Sequence, residues 1–240
     1  MPGHCQCPGR SAGHRPLPED SRTVTTTPPA PRSRADAVRN QQLLVAAAAR
    51  AFAKSGLGIP VSQIVRDAGL GKGTAFRCFP SKDHLVAEIV RERLDELTTR
   101  AVELAAEEDA GAALYAFLRA AAARYADDRG FFEALSLPPR AHPEVRASEE
   151  RLIDAVDRLV HRAQRQGSVR EDVTTVDVLL LLGGVRQAAA PLHPARPDLW
   201  QRYLDLVFDG LRAGQGRPPA GPAPTRTDYR RAAESLASGG

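Results

Sequence analysis

The segment spanning residues 61–85, VSQIVRDAGLGKGTAFRCFPSKDHL, constrains the fold of this chain more than any other. Its first apolar residues, among them Val61 and Ile64, recur at helical spacing, and Gly69 follows where a short helix would end. A second short helix begins at Lys72. Pro80 ends this helix, and a third helix begins directly after it. Two short helices joined by a tight glycine turn predict a helix-turn-helix, in which the second helix enters the major groove of DNA.

Charge is distributed unevenly around this motif. The whole chain carries a net charge of only +4, which is too mild to identify a nucleic-acid partner. Residues 34–82, however, contain eight basic and two acidic side chains, whereas residues 83–213 contain 17 basic and 23 acidic ones. A basic segment on an acidic body is typical of a DNA-binding domain joined to a regulatory domain. The alternative is chance clustering on a solvated helical face.

The remainder of the chain between residues 34 and 213 also has helical periodicity, and no long stretch alternates with a period of two. We therefore predict an all-α fold. The expected helices are Asp36–Lys54, Val61–Ala68, Lys72–Cys78, Ser81–Glu107, Ala112–Tyr125, Phe131–Leu135, Glu144–Gln166, Thr175–Ala189 and Pro197–Leu211.

Composition then divides the chain into four parts. Residues 1–33 are proline-rich without apolar periodicity, which predicts a disordered tail. We expect residues 34–82 to form the DNA-binding domain and residues 83–213 to form a helical regulatory domain. Residues 214–240 are expected to be mostly disordered, with a weak helical turn or two in Tyr229–Ala237.

Several classes of protein are disfavoured. There is no run of eighteen apolar residues, no apolar segment of a secretory signal, and too few cysteines for a disulfide framework, so we expect a cytoplasmic protein. His4, Cys5 and Cys7 have the spacing of a metal cluster but lack further ligands nearby, and no metal or other cofactor is predicted. Nucleophile, phosphate-loop and zinc-protease motifs are absent, so no enzymatic activity is expected. The alternative function is a helical small-molecule-binding protein or enzyme with an incidental basic N-terminal domain.

The residues between Gln41 and Leu85 resemble the TetR (tetracycline-repressor-like) family of bacterial transcriptional regulators. The motifs that carry the resemblance are Ala49-x-x-Phe52-x-x-x-Gly56, then Ile64, then Ala68-Gly69, then Lys72-Gly73-Thr74-x-Phe76-Arg77-x-Phe79-Pro80-Ser81-Lys82. From there to about Leu211, the chain is similar to the family only in length and in the order of its helices.

The resemblance implies a homodimer that binds double-stranded DNA at a near-palindromic operator and is released by a small-molecule effector. It implies that Lys72, Gly73 and Thr74 meet base edges or nearby phosphates, with Arg77 on the DNA side. Lys82, at the start of the following helix, would contact a backbone phosphate.

The chain departs from the family pattern at three positions. Gly71 stands where a serine is common, Phe76 replaces the usual tyrosine, and Cys78 stands where histidine is frequent. Each departure removes a polar group that can contact phosphate or cap the helix. We expect Phe76 and Phe79 to be core residues rather than DNA contacts.

In the second domain, the segment from Val178 to Leu182 is apolar on every side. A helix that is apolar all round must be covered all round, which predicts a subunit interface on Thr175–Ala189. The family resemblance implies that residues 83–213 form a ligand-binding and dimerisation domain, in which Pro197–Leu211 joins this helix in a four-helix dimer seam. The alternative is a helix wholly internal to a monomer. The family resemblance implies an effector pocket around the short middle helices, which we expect to take an apolar or aromatic molecule. Core packing is the alternative for each aromatic residue there. The candidate pocket walls are Phe117, Tyr125, Phe131, Phe132, Leu135, Leu152 and Val156.

Overall fold

The computed structural model describes Gly3 and residues 34–135, 142–214, 217 and 219–238. Within these residues the chain is helical and contains no strand, only an isolated bridge between Val169 and Arg212. The predicted all-α fold is confirmed. The helices are α1 (Arg34–Ser55), α2 (Val61–Asp67), α3 (Lys72–Cys78), α4 (Lys82–Leu104), α5 (Ala110–Asp127), α6 (Arg129–Ala134), α7 (Pro143–Arg165), α8 (Thr175–Ala189), α9 (Leu199–Leu211) and α10 (Arg226–Ser238).

The boundaries of α2, α3 and α4 follow from local chemistry. Gly69 has a φ of +67°, which an L side chain rarely adopts, and its N–H donates to the Arg66 carbonyl at 3.0 Å. This left-handed residue turns the chain from α2 into α3. Ser81 Oγ accepts a hydrogen bond from the His84 amide at 3.4 Å and thereby caps α4.

Helices α1, α2 and α3 share one apolar core. Leu44 and Phe52 of α1 are buried, as are Ile64 of α2 and Ala75 of α3. Because α2 and α3 are only seven residues long, they depend on packing against α1 rather than on their own helical stability. The predicted helix-turn-helix is confirmed.

Helix α4 links this three-helix unit to the rest of the molecule. It begins beside α1 and then runs along α7, while α5 packs against α7, α8 and α9. Residues from Arg34 onward are joined by contacts into one unit. The division into domains at residue 82 stays a prediction, and the tail predicted for residues 1–33 lies outside the described residues except for Gly3.

The described part of the C-terminal segment forms a helix. Helix α10 is longer than the one or two turns expected there, and it lies against α7. Arg226 forms an ion pair with Asp154 at 2.6 Å, and the Tyr229 hydroxyl donates to Glu149 at 3.1 Å. These pairs join α10 to α7, a helix distant in the chain. Composition alone does not reveal such charge complementarity, and this explains the difference.

Helix α8 leaves much of its apolar surface uncovered. The segment Thr175–Leu192 has a mean hydropathy of 1.2 and is, by length and composition, apolar enough to cross a membrane. It contains the charged residues Asp177 and Arg186 and is not a membrane span. Leu180 is 54% exposed and Leu181 is 39% exposed. The alternative of a helix internal to a monomer is therefore wrong, and this face remains open for a partner.

Candidate nucleic-acid interface and effector region

The outer face of α3 presents cations and bare backbone. Lys72, Gly73 and Arg77 are exposed, whereas Thr74 is half-buried. Arg77 donates from Nη2 to Thr74 Oγ1 at 3.4 Å, so these two predicted DNA-facing residues lie together on one face of the helix. The cap residue Gly71 makes no side-chain hydrogen bond to the start of α3, which is the expected consequence of the missing serine hydroxyl.

Neither glycine of α3 is required by packing inside the protein. A Cβ atom added at Gly71 or at Gly73 would meet no atom within 4 Å. Glycine inside a helix nevertheless costs about 1 kcal/mol relative to alanine. Gly73 therefore lowers the stability of α3 although no packing contact within the protein requires a glycine there. The missing side chain allows another molecule to approach the backbone of α3 closely.

The expectation that Phe76 is a core residue is wrong. Its side chain is 60% exposed, while Phe79 is half-buried against the core as expected. Helical geometry explains the difference, because Ala75 and Phe79 are four residues apart and define the inner face, and Phe76 is rotated about 100° from Ala75. Phe76 is thus a large apolar side chain on the same exposed helix as Lys72 and Arg77.

Lys82 occupies a different environment from the other predicted contacts. Its ammonium donates to the carbonyl oxygen of Leu57 and, at 3.1 Å, to that of Ile59, and it lies 5.8 Å from the centre of the Phe52 ring. These bonds tie the start of α4 to the turn between α1 and α2. A phosphate that contacts Lys82 would therefore share its ammonium group with these two backbone carbonyl oxygens.

The seven predicted pocket residues lie in the interior between α5, α6 and α7. Phe117, Phe131 and Val156 are buried, as are Tyr125 and Leu152, whereas Phe132 and Leu135 are half-buried. The Tyr125 ring lies 5.7 Å from both Phe131 and Phe132. In the described part of the chain these side chains pack as core, and their role as pocket walls stays a prediction.

A polar group adjoins this aromatic cluster. Arg186 of α8 donates from Nε to the Tyr125 carbonyl oxygen at 3.0 Å, and its guanidinium stacks 5.1 Å from the Phe132 ring. The structure places Arg186 beside two of the predicted pocket residues.

Two cavities lie elsewhere. One of about 760 Å³ lies between α1 and the pair α4 and α5. The other, of about 820 Å³, lies between the beginning of α5 and the end of α9, where it is lined by Tyr115, Phe208 and Asp205. Neither is lined by the seven predicted residues. The described residues contain no group of His, Cys, Asp or Glu side chains arranged to hold a metal, and His4, Cys5 and Cys7 lie outside them.

Helix α6 joins the regulatory body to the helix-turn-helix. Glu133 accepts a hydrogen bond from the Leu57 amide at 2.8 Å and an ion pair from Arg129 at 2.6 Å. Burial alone would raise the pKa of the Glu133 carboxyl, but these two donors outweigh burial and hold the pKa below its ordinary value. A Cβ at Gly130 would lie 2.6 Å from the Cβ of Phe52, so α6 contacts α1 at van der Waals distance.

Comparison with protein-family models gives two matches along the chain. Residues 44–89 match the model described as bacterial regulatory proteins, tetR family. Residues 109–213 match the model of the C-terminal domain of SbtR-like transcriptional regulators. The comparison with curated proteins found no match.

Solved structures give the same result. The chain is 32% identical to a TetR transcription regulatory protein from Mycobacterium vanbaalenii, with a TM-score of 0.54 over 75% of this chain and 99% of that one. It is 28% identical to a TetR transcriptional regulator from Streptomyces coelicolor, with a TM-score of 0.52 over 73% and 99% of the two chains. A fatty acid degradation regulator from Bacillus halodurans shares the fold at 16% identity, with a TM-score of 0.60 over 75% and 97%.

Proposed function

Since the chain belongs to the TetR family of bacterial transcriptional regulators, we propose that it is a cytoplasmic repressor which a small-molecule effector releases from a near-palindromic operator. That it is a DNA-binding regulator of this family follows from the family matches. Regulators of this family bind DNA and small ligands and act as dimers. The alternative, an enzyme or small-molecule binder with an incidental basic N-terminal domain, is not favoured, because the family model covers that domain itself.

The outer face of α3 is the observation that carries the proposal. Lys72 and Arg77 supply exposed cations for phosphates or guanine edges, and Gly73 leaves the backbone bare for close approach. Thr74 is the proposed base-edge contact. We add Phe76, whose exposed ring can contact sugars or thymine methyl groups but cannot donate the phenolic hydrogen bond of a tyrosine.

For Lys82 we propose a divided role. Its bonds to the carbonyls of Leu57 and Ile59 orient α4 relative to the helix-turn-helix, and the same ammonium has one further N–H to offer a phosphate. Its replacement by alanine would then weaken DNA binding partly through lost orientation, unlike replacement of Lys72.

The dimer interface that we propose is the exposed apolar face of α8 and α9. Leu180 and Leu181 of α8 and Leu206 of α9 are exposed in the single chain. Gly183 is half-buried and Gly184 is exposed, and a Cβ added at either would meet no atom within 4 Å, so the space beside both is open. Two such helix pairs form a four-helix seam with close backbone approach at the glycines.

We propose that the effector is an apolar or aromatic molecule that enters the aromatic cluster of α5 and α6 from the side of Phe132 and Arg186. Entry there would displace α6, which contacts the helix-turn-helix through Gly130 and Glu133. The cluster is closely packed, so the effector has to open it, and binding is thereby linked to movement of α1.

A binding selection on genomic fragments, including the DNA that flanks the gene, tests the proposal. The intact protein should enrich fragments containing a two-fold symmetric site and bind them more tightly than scrambled duplexes. A Lys72→Ala/Arg77→Ala double variant is the matched control, because both side chains are exposed and their loss should leave the fold unchanged. Equal affinity for selected and scrambled DNA would exclude a sequence-specific regulator.

A further inference from the structure

The cavity of about 760 Å³ between α1 and the body is separate from the proposed effector pocket. One face of α1 forms its floor with small side chains, Ala46, Ala49 and Ala53. Helix α4 supplies Glu88 and Glu92 on the opposite wall. Its position matters because α1 carries the helix-turn-helix, whereas α4 and α5 belong to the regulatory body.

Most charged groups around this cleft are already satisfied. Glu88 accepts two hydrogen bonds from Arg91, the shorter at 2.7 Å. Arg93 pairs with the buried Asp128 at 3.3 Å, and Arg124 bonds at 2.7 Å to a glutamate of α4. These pairs are therefore part of the structure of the walls and do not require a ligand.

Two groups of opposite charge on facing walls differ from these pairs: Glu92 is half-buried and Arg50 is exposed to solvent. In the part of the chain that the structure describes, neither Glu92 on α4 nor Arg50 on α1 has a hydrogen-bond or ion-pair partner. Burial raises the pKa of the Glu92 carboxyl, and the nearby charge of Glu88 raises it further. A cation placed beside Glu92 would relieve both effects. Asp127, exposed at the rim, is a third group without a partner among these residues.

We propose that this cleft binds a small zwitterion, with its ammonium group toward Glu92 and its anionic group toward Arg50. An apolar ligand would remove water from both charges without replacing their hydrogen bonds, which is costly. A diamine could pair with Glu92 and Asp127, but it would leave Arg50 without an anion. A zwitterion pairs with Glu92 and Arg50 together, and its occupancy joins α1 to α4.

The test uses three probes of equal chain length: 6-aminohexanoate, hexylamine and hexanoate. Titration calorimetry on the intact dimer without DNA should show saturable binding of the zwitterion, at least about tenfold tighter than either singly charged probe, or about 1.4 kcal/mol. A series from 4-aminobutanoate to 8-aminooctanoate should show one best length, set by the distance between the two charges. Because no DNA is present, the outcome is independent of the proposed repressor function.

Variants assign the site. Glu92→Gln and Arg50→Gln should each weaken binding of the zwitterion at least about tenfold while their melting temperatures stay near that of the parent. The matched controls are Glu103→Gln and Arg100→Gln, an exposed pair elsewhere on α4, which should bind like the parent. Absence of saturable binding at millimolar concentration for every chain length, or unchanged binding by Glu92→Gln, would overturn the proposal.

Discussion

Gly73 shows how a single residue can favour function over stability. Since a Cβ there meets no atom, Gly73→Ala should stabilise the protein by up to about 1 kcal/mol through helix propensity. The same methyl group would stand between α3 and DNA and should weaken operator binding. Melting curves and DNA titrations on one preparation measure both effects. Gly69→Ala is the contrast, because its φ of +67° should make that change destabilising without bearing on DNA contact.

Phe76 should contribute to DNA binding without electrostatics. Because the ring is 60% exposed, Phe76→Ala should alter the melting temperature little. It should weaken binding to the operator while leaving the salt dependence unchanged, whereas Lys72→Ala should reduce the salt slope by about one. Titrations at several salt concentrations separate the two. A large loss of stability in Phe76→Ala would show that the ring serves the fold instead.

The sequence predicts which residues belong to α3 better than it predicts the environment of each side chain. The large apolar side chain of Phe76 favoured a core assignment beside Ala75 and Phe79, but the structure places its ring on the exposed face of α3. Lys82 is different in kind. A lysine has four rotatable bonds, so its sequence position does not show that its ammonium would bond to the Leu57 and Ile59 carbonyls.

At the level of elements, α6 contacts α1 closely through Gly130 and Phe52. Gly130→Ala would place a methyl group 2.6 Å from the Phe52 Cβ and 2.9 Å from its carbonyl oxygen. These Phe52 atoms cannot move easily, so we expect a destabilisation of about 1–3 kcal/mol and a change in operator affinity. Denaturant unfolding measures the stability, and DNA titration measures the affinity. Gly58→Ala is the control, since a Cβ there meets nothing within 4 Å and its stability should not fall.

The Glu133 contact of α6 should be sensitive to acid. Its folded pKa lies below the ordinary value of 4.5, so the ionised carboxylate stabilises the folded state above that pH. This stabilisation is lost as the pH falls through the folded pKa. The melting temperatures of the parent and Glu133→Gln should therefore differ at neutral pH and converge in acid. A difference that persists at low pH would mean that the charge is not responsible.

Helices with strong periodicity, such as α4 and α7, could be predicted within a few residues because their apolar faces determine their packing. Helix α10 could not. Its docking depends on pairs such as Arg226 with Asp154, which join residues far apart in the sequence. Exposed ion pairs of this kind contribute little each, and composition does not identify the surface that receives the helix.

At the scale of the whole molecule, the fold and family could be predicted from the helix-turn-helix and the helix order, whereas the effector pocket could not. Apolar residues such as Phe117 and Val156 have the same sequence pattern whether they line a cavity or fill a core. The structure packs them as core in the described residues. Pocket walls and core differ only in how the helices are spaced, and helix spacing is a property of the assembled molecule.

Assembly determines whether two α3 helices can read one operator. Leu180→Glu places a charge on the exposed face of α8, where a second subunit would bury it unpaired, and should dissociate the dimer. Val102→Glu is the matched control, because Val102 is 51% exposed on α4 outside the proposed seam and should leave the dimer intact. Light scattering reports the molecular mass of each variant.

The same variants test the spacing of the operator. Two-fold symmetric readers bind half-sites about 34–36 Å apart, so inserting half a helical turn of DNA between them should abolish tight binding by the parent and by Val102→Glu. The Leu180→Glu monomer should bind each half-site independently and weakly, and therefore should not respond to the insertion. A parent protein that binds the inserted and native duplexes equally well would show that its two α3 helices are not held at a fixed separation.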